Sequence, residues 1–415
     1  MIAAGAYWIG MGVALVIGLL YFRDLGDVSQ MLIRVKRESM KRFIRNEYRF
    51  IALGFAGLVL MTIAHFGFGA GSLGLWWATL LLMAVLYGFP YVWVHIGLRN
   101  QKNSARFYSI GEASEYVAPS NQVLVLENNG VARAHPQAQL LRPHLAGDEE
   151  GLDGENVIMT YCAMANLGIG YTPEVEGAKV ELEVLAQHGN NLLLRDNMTG
   201  EPIQQIYGFR DKDAAPETGG VACPLRPSLS MRQWPTFRMT FRGFNKAYPD
   251  GRVFLNKPSS NPILFLFDLV LETVFSASIE RQHREARPVM DNMTRHDERL
   301  PNKSYVWGVN LDNEAVCWTD DFVIEQGNVV NADVGGHALV VAWDPHYESL
   351  GVWYNDRDEP VTEIDFFGNT PTGKLKRVEA LKPGLFWHVW AEFFPNTDIN
   401  RVGRGAAPDK AAGSL

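Results

Sequence analysis

Three long runs free of Asp, Glu, Lys and Arg decide what the first quarter of this chain can be. They cover residues 2–22, 50–68 and 73–98. Each reaches the roughly 20 apolar residues a helix needs to cross a hydrocarbon core. Trp8, Trp76, Trp77, Tyr91 and Trp93 are amphipathic aromatics suited to the interfaces. No basic stretch precedes the first run, so it reads as a span and not as a signal peptide. The second and third runs are joined by FGFGAGSLG, a tight helical hairpin. Its Gly69, Gly71 and Gly74 match a dinucleotide-loop spacing, but no strand precedes them.

Between the first two spans, Val28, Met31, Leu32, Val35, Phe43, Ile44 and Tyr48 recur near helical spacing. Arg34, Lys36, Arg37, Lys41, Arg42 and Arg45 fill much of the rest. This predicts a basic amphipathic helix over 28–49, lying on an anionic lipid surface or packing on a neighbouring subunit. The chain carries a net charge of −8, to which residues 1–98 contribute +4, leaving −12 for the remainder. That sign argues against nucleic acid as a partner. All the basic residues near the spans flank the same ends. The positive-inside rule then puts the N-terminus outside and the large C-terminal domain in the cytoplasm. His65 and His95 lie within or at the ends of spans, where an ionisable residue is a functional flag.

From residue 115 the texture changes to short β-type runs: VLVLE, ENVIMTY, KVELEVL, NLLLR, YVWGVNL and HALVVAW, separated by Gly, Asn, Asp and Pro. Three segments recur in order. Residues 130–136 match 313–319, residues 156–171 match 338–354, and residues 241–252 match 389–401. The expected fold is therefore three N-terminal transmembrane α-helices followed by a β-rich (α+β) domain with an internal duplication. Its units are the anchor 1–98, β-rich units at 115–258 and 303–402, a helical linker at 259–302 and a tail at 403–415. The linker opens with an apolar helix, 262–279, interrupted by Asp268 and Glu272. Those two acids argue against a fourth span. Core packing, membrane docking and partner docking are its remaining roles.

The ordered motifs GVARAHP, MTYCAMAN, LLLRDNMTGEPIQQIYG and FNKAYPDGRVF resemble a bacterial domain-of-unknown-function family, number thirty-one seventy-nine. Its members read GxAKAYP, NDxVGG, TYCPLC, a DxxTxSxW segment with TGEAIxG, and YPDTKVL. The NDxVGG-like piece here is 331–336, and DERLPNKSYVWGV is similar to the family's entry into that unit. The resemblance covers roughly 115–400 and implies a bacterial protein, here fused to a membrane anchor at the inner membrane. It brings no activity with it, and many members look exported, whereas the charge count of this chain points inward. TYCPLC becomes Tyr161-Cys162-Ala163-Met164-Ala165, which removes the second thiol, and His135 replaces a tyrosine.

His135, Cys162 and Met164, with His144 near in sequence, form a soft-to-borderline ligand set that suits copper. Asp344 and His346 hold the matching positions of the second copy, with His337 ahead of that strand. Against this stands ordinary packing of a buried thiol, thioether and imidazole. GNTPTGK at 368–374 has the glycine and lysine of a phosphate loop, but Leu375 replaces the magnesium-binding hydroxyl. No HExxH, CxxC or GxSxG occurs. Two functional readings follow: a non-catalytic membrane protein serving as an accessory subunit beside other integral subunits, or a copper-binding or redox-handling protein using His135, Cys162 and Met164. An enzyme acting on a small molecule between the duplicated units is a third. The tryptophans at 307, 318, 343, 353, 387 and 390 read as core fillers.

Overall fold

The computed structural model describes residues 1–26, 30, 33–216, 220–258, 262–290, 292–357 and 359–403. The chain forms two compact units. The first comprises Met1–Asn100, Lys179–Asp213 and Val289–Thr294; the second holds the rest.

In the first unit, helices α1 (Ile2–Leu25), α2 (Arg37–Phe68) and α3 (Leu73–Val92) are each long and apolar enough to cross a membrane. The last continues into a π-helical turn, Trp93–Gly97. Gly10, Ala14 and Gly18 form a buried small-residue stripe along α1. A Cβ on Gly10 would lie 2.5 Å from the Gly57 carbonyl oxygen, and one on Gly57 would lie 2.7 Å from that of Gly10. Only glycine permits this crossing, which replaces the missing hydrophobic drive in lipid with close backbone packing. The α2–α3 hairpin follows the glycine-rich reading. Gly69 ends α2 in a left-handed conformation, φ 63°. Gly71, φ 71°, lies against the Tyr7 ring, whose hydroxyl donates to the Ser72 carbonyl at 2.7 Å.

The basic segment departs from expectation. Of its predicted helix, 28–29 and 31–32 lie outside the described residues, and 33–36 are not helical. The helix starts at Arg37 and runs unbroken in assignment into the second span, bending at Asn46 (φ −126°, ψ 21°). It is therefore continuous with the second candidate span and not a separate helix.

A second departure concerns KVELEVL and NLLLR, read above as part of the first β unit. They form an antiparallel three-stranded sheet, Leu182–His188, Asn191–Asp196 and Glu201–Gln204, that belongs to the helical unit. Leu185, Ala186 and Leu193 share a core with Tyr21, Phe43, Ile44, Tyr87 and Val94. All six residues of the central strand are buried. A strand buried on both faces carries no alternation to say which core it joins.

The second unit has two halves. In the first, the hairpin Gln122–Asn128/Val131–Pro136 pairs its leading strand with Thr236–Thr240. A seven-residue helix, Phe241–Ala247, then returns the chain to Arg252–Phe254, parallel to the trailing hairpin strand. In the second half, the hairpin Tyr305–Leu311/Glu314–Trp318 pairs with Lys382–Phe386. Helix Trp387–Phe393 then leads to Asp398–Ile399, again parallel to the trailing strand. Each half adds an antiparallel meander: Leu145–Ala146, Ile158–Cys162 and Leu167–Tyr171, or Val329–Val334, His337–Asp344 and Ser349–Tyr354.

The halves meet reciprocally. The Phe386 amide donates to the Ala165 carbonyl at 3.0 Å, and the Asn166 amide to the Gly384 carbonyl at 2.8 Å. In the opposite sense, Ser349 donates to the Arg238 carbonyl at 2.9 Å, and Thr240 to the Glu348 carboxylate. Trp318, Trp353, Trp387 and Trp390 are fully buried, as the core reading expected. The linker helix spans Pro262–Arg284. Its Asp268 and Glu272 face Arg142 at 3.0 and 3.5 Å, while Phe265, Leu266, Leu269 and Val270 are exposed.

Candidate functional site

The soft-ligand set is distributed over two sheets. His135 lies on Val131–Pro136, buried, with Phe107 and Phe254 at 5.4 and 6.1 Å and Nδ1 3.4 Å from the Leu124 carbonyl. Burial, and then the charge of Arg133, pulls its pKa down to about 3, so the ring is neutral. His144 is likewise buried, drawn down to about 4 by burial. Cys162 ends the strand Ile158–Cys162, and Met164 lies in the buried turn that leads to Leu167–Tyr171 and docks on the second half through Ala165 and Asn166. The family motif thus forms a joint between the two halves.

In the second half, Asp344 and His337 sit at opposite ends of one eight-residue strand, with His346 exposed in the turn beyond Asp344. The strand holds His337 and Asp344 apart. An extended strand separates its ends by about 3.3 Å per residue. Asp344 is a turn-holder, accepting from the amides of His346, Tyr347 and Phe366 at 2.8, 3.1 and 3.2 Å. Among the described residues, no three His, Cys, Asp and Glu side chains gather as metal ligands. The 368–374 stretch folds as the small hairpin Asn369–Thr370/Gly373–Lys374, not as a strand–loop–helix phosphate cradle.

The basic residues of the α2 end find acids within their own unit. Lys41 reaches Asp211 at 2.8 Å and Glu38 at 2.6 Å; Arg45 reaches Asp211 at 2.8 Å and Glu201 at 3.1 Å; Arg37 lies 3.9 Å from Asp211. Arg34 donates to the Met293 carbonyl at 2.6 Å. Lys36 and Arg42 are exposed. Asp211 is held below its ordinary carboxylate range: burial opposes this, but the Lys41 ammonium and the two arginines outweigh it.

Deeper in the same unit, one cluster ties together all three span ends and the sheet. Glu47 of α2 is 2% exposed and accepts from the Tyr21 hydroxyl of α1 at 2.7 Å. It also faces His95 Nε2 at 2.9 Å and Arg195 Nη1 at 2.7 Å. Glu183, on the first strand of the sheet, faces His95 Nδ1 and Arg195 Nη2, each at 2.6 Å. Arg195 completes its donors on Asn197 at 2.8 Å. His95 sits in the π-helical turn, a distortion that recurs at functional sites. A ring donating from both nitrogens satisfies both carboxylates, and the cluster is then charge-neutral. Burial would raise the pKa of Glu183, yet the hydrogen bond and charge of His95, followed by Arg195, hold it down at about 2.

Chemically, the cluster can pass a proton between two carboxylates through one imidazole and can lock sheet to helices. The sequence flagged His95 alone of these residues. Glu47 carried a usable signal as an acid inside a basic run. Glu183 and Arg195 did not, because they come from strands more than 80 residues further along the chain.

No curated protein and no solved structure is significantly similar to this chain. The family model described as "Protein of unknown function (DUF3179)" matches residues 95–397, so it begins at His95 and covers the β-rich portion up to its last short strand. The chain belongs to this family, here with three candidate membrane helices at its N-terminal end.

Proposed function

We propose that this chain is a non-catalytic integral membrane protein of the bacterial inner membrane, an accessory subunit of a larger membrane complex with its β-rich portion on the cytoplasmic side. The Glu47–His95–Glu183–Arg195 lattice carries this reading. A protein that merely needed tethering would not require two buried charges, Glu47 and Arg195, paired with the part-buried His95 and Glu183 between a span end and a sheet, because buried pairs add little net stability. Such pairs fix geometry, which is what a subunit transmitting or holding a position requires. The exposed apolar residues of Pro262–Arg284 add a surface suited to a partner. All basic span-flanking residues lie at the lattice end of the helices, which supports the inward orientation. The shared strand order of the two halves and their reciprocal contacts support an internal duplication.

The test is gentle detergent extraction from native membranes, followed by size analysis and mass spectrometry of co-migrating proteins. A stoichiometric assembly is expected; a lone monomer or homo-oligomer would contradict the subunit reading. Protease treatment of sealed vesicles checks orientation, and a domain digested only from the periplasmic side would overturn it.

A further inference from the structure

A cleft of about 860 Å³ opens in the second unit, between the 127–130 hairpin turn and strand Gln233–Trp234 on one side and residues 374–379 on the other. That volume is in the range of small-molecule sites. Its charges are not equivalent. Lys376 is tied to Glu379 at 2.5 Å, and Arg232 lies 4.4 Å over the Trp234 ring with Glu155 at 3.4 Å. Glu127 is occupied by the Gly130 amide at 2.6 Å. Lys374 and Arg377 remain, and among the described residues neither has a carboxylate within 4.0 Å.

Arg377 is held in a cage. The Phe237, Phe366 and Trp353 rings lie 4.4, 4.5 and 4.8 Å from its guanidinium, and one terminal nitrogen donates to the Phe366 carbonyl. Burial lowers its pKa to about 10, so it stays charged at neutral pH. Rings orient a guanidinium but do not neutralise it, and the carboxylates of Glu127, Asp365 and Asp344 act on Arg377 only from beyond ion-pair distance, so no direct carboxylate contact occupies its donors. Planar guanidinium donors match an oxyanion in a bidentate manner. Beside it, Trp234, Tyr248 and Phe367 give the cleft aromatic walls. Gln233 has its oxygen engaged by Lys382 at 2.5 Å, which leaves its amide nitrogen to donate.

We propose that this cleft binds a small organic anion with a planar ring: the oxyanion on Arg377 and Lys374, the ring against Trp234 and Phe367. Ring-bearing carboxylates and ring-bearing phosphates share this chemistry. The experiment is isothermal titration of the full chain in detergent, with empty-micelle heats subtracted. Benzoate and adenosine monophosphate are the probes; benzyl alcohol and adenosine are the neutral controls, and inorganic phosphate is the ringless anion. The expected result is saturable submillimolar binding of one ring-bearing anion, at least tenfold tighter than its neutral control and than phosphate. Whichever probe binds assigns the carboxylate or the phosphate arm. Arg377→Gln is expected to weaken it at least tenfold. Because Arg377 also anchors Phe366, the exposed Lys374→Glu carries the test independently, with a three- to tenfold loss. Absence of binding by both anions below 5 mM (about −3 kcal/mol), equal binding of the neutral controls, or a folded Lys374→Glu with unchanged affinity would each overturn the proposal.

Discussion

Arg195 and Arg377 are both arginines held deep in their units, yet their surroundings are opposite. Around Arg195, two carboxylates and an amide oxygen accept from its guanidinium. Around Arg377, three aromatic rings and one carbonyl do the holding, and no carboxylate among the described residues reaches it. A cation fully matched by its own chain is spent on structure. A cation caged by rings keeps its charge for something that arrives from outside. The same contrast separates the helical unit, where Asp211 gathers Arg37, Lys41 and Arg45, from the cleft, where Lys374 stands without an acid.

The sharpest way to break this contrast is at Glu47. Glu47→Gln leaves Arg195 and His95 with one carboxylate between them. A loss of about 3–5 kcal/mol is expected, since removing one partner strands buried charge. Thermal unfolding in detergent, followed by tryptophan fluorescence, measures it. A loss below about 1 kcal/mol would mean that the lattice is relaxed by water.

Lys382 sharpens the other side. It is 5% exposed and hydrogen-bonded to Gln233 and the Ala380 carbonyl, with burial pulling its pKa to about 7. The unfolded lysine binds its proton up to about pH 10.4. Between these values the unfolded state holds more protons, so stability rises with pH by up to about 1.4 kcal/mol per unit. Lys382→Met is expected to stabilise the protein by about 2–3 kcal/mol at pH 6 and to lose that advantage by pH 10. A pH-independent difference would contradict this.

Glu183 gives an effect of opposite sign. Its folded pKa of about 2 lies below the ordinary carboxylate value near 4.3. Its contribution is complete above about pH 4.3 and is lost as pH falls toward 2, amounting to about 3 kcal/mol at most. Acid unfolding of the parent and of Glu183→Gln should therefore converge over that window. Curves that stay parallel would remove Glu183 from the lattice.

The spans were legible because apolar length is a local property, and the glycine hairpin because left-handed turns select their residues. The β-rich character of the rest was legible through β-type runs punctuated by turn residues. The exchange of 182–204 into the helical unit was not. Its strands bury both faces, and nothing in LEVLAQH or NLLLRD names the core they enter. The partners of the basic run, read as lipid or a neighbouring subunit, were not legible because its acids, Asp211 and Glu201, come from more than 150 residues away. The cleft was hidden for the same reason: Trp234 and Arg377 lie far apart in sequence, and each alone looks like an ordinary core or surface residue. The soft-ligand set drew attention through residue chemistry, whereas the structure gives its members separate packing roles.

The most direct test compares Arg195→Met with Arg377→Met by thermal unfolding in one detergent at pH 7. Stranding Glu47 and Glu183 should cost the first variant about 3–5 kcal/mol. The second breaks no ion pair; it gives up one bond to the Phe366 carbonyl and gains an apolar side chain among three rings, so it should lose no more than about 1–2 kcal/mol. Equal losses, or a larger loss at Arg377, would contradict the division between a cation committed to the fold and one kept for a ligand.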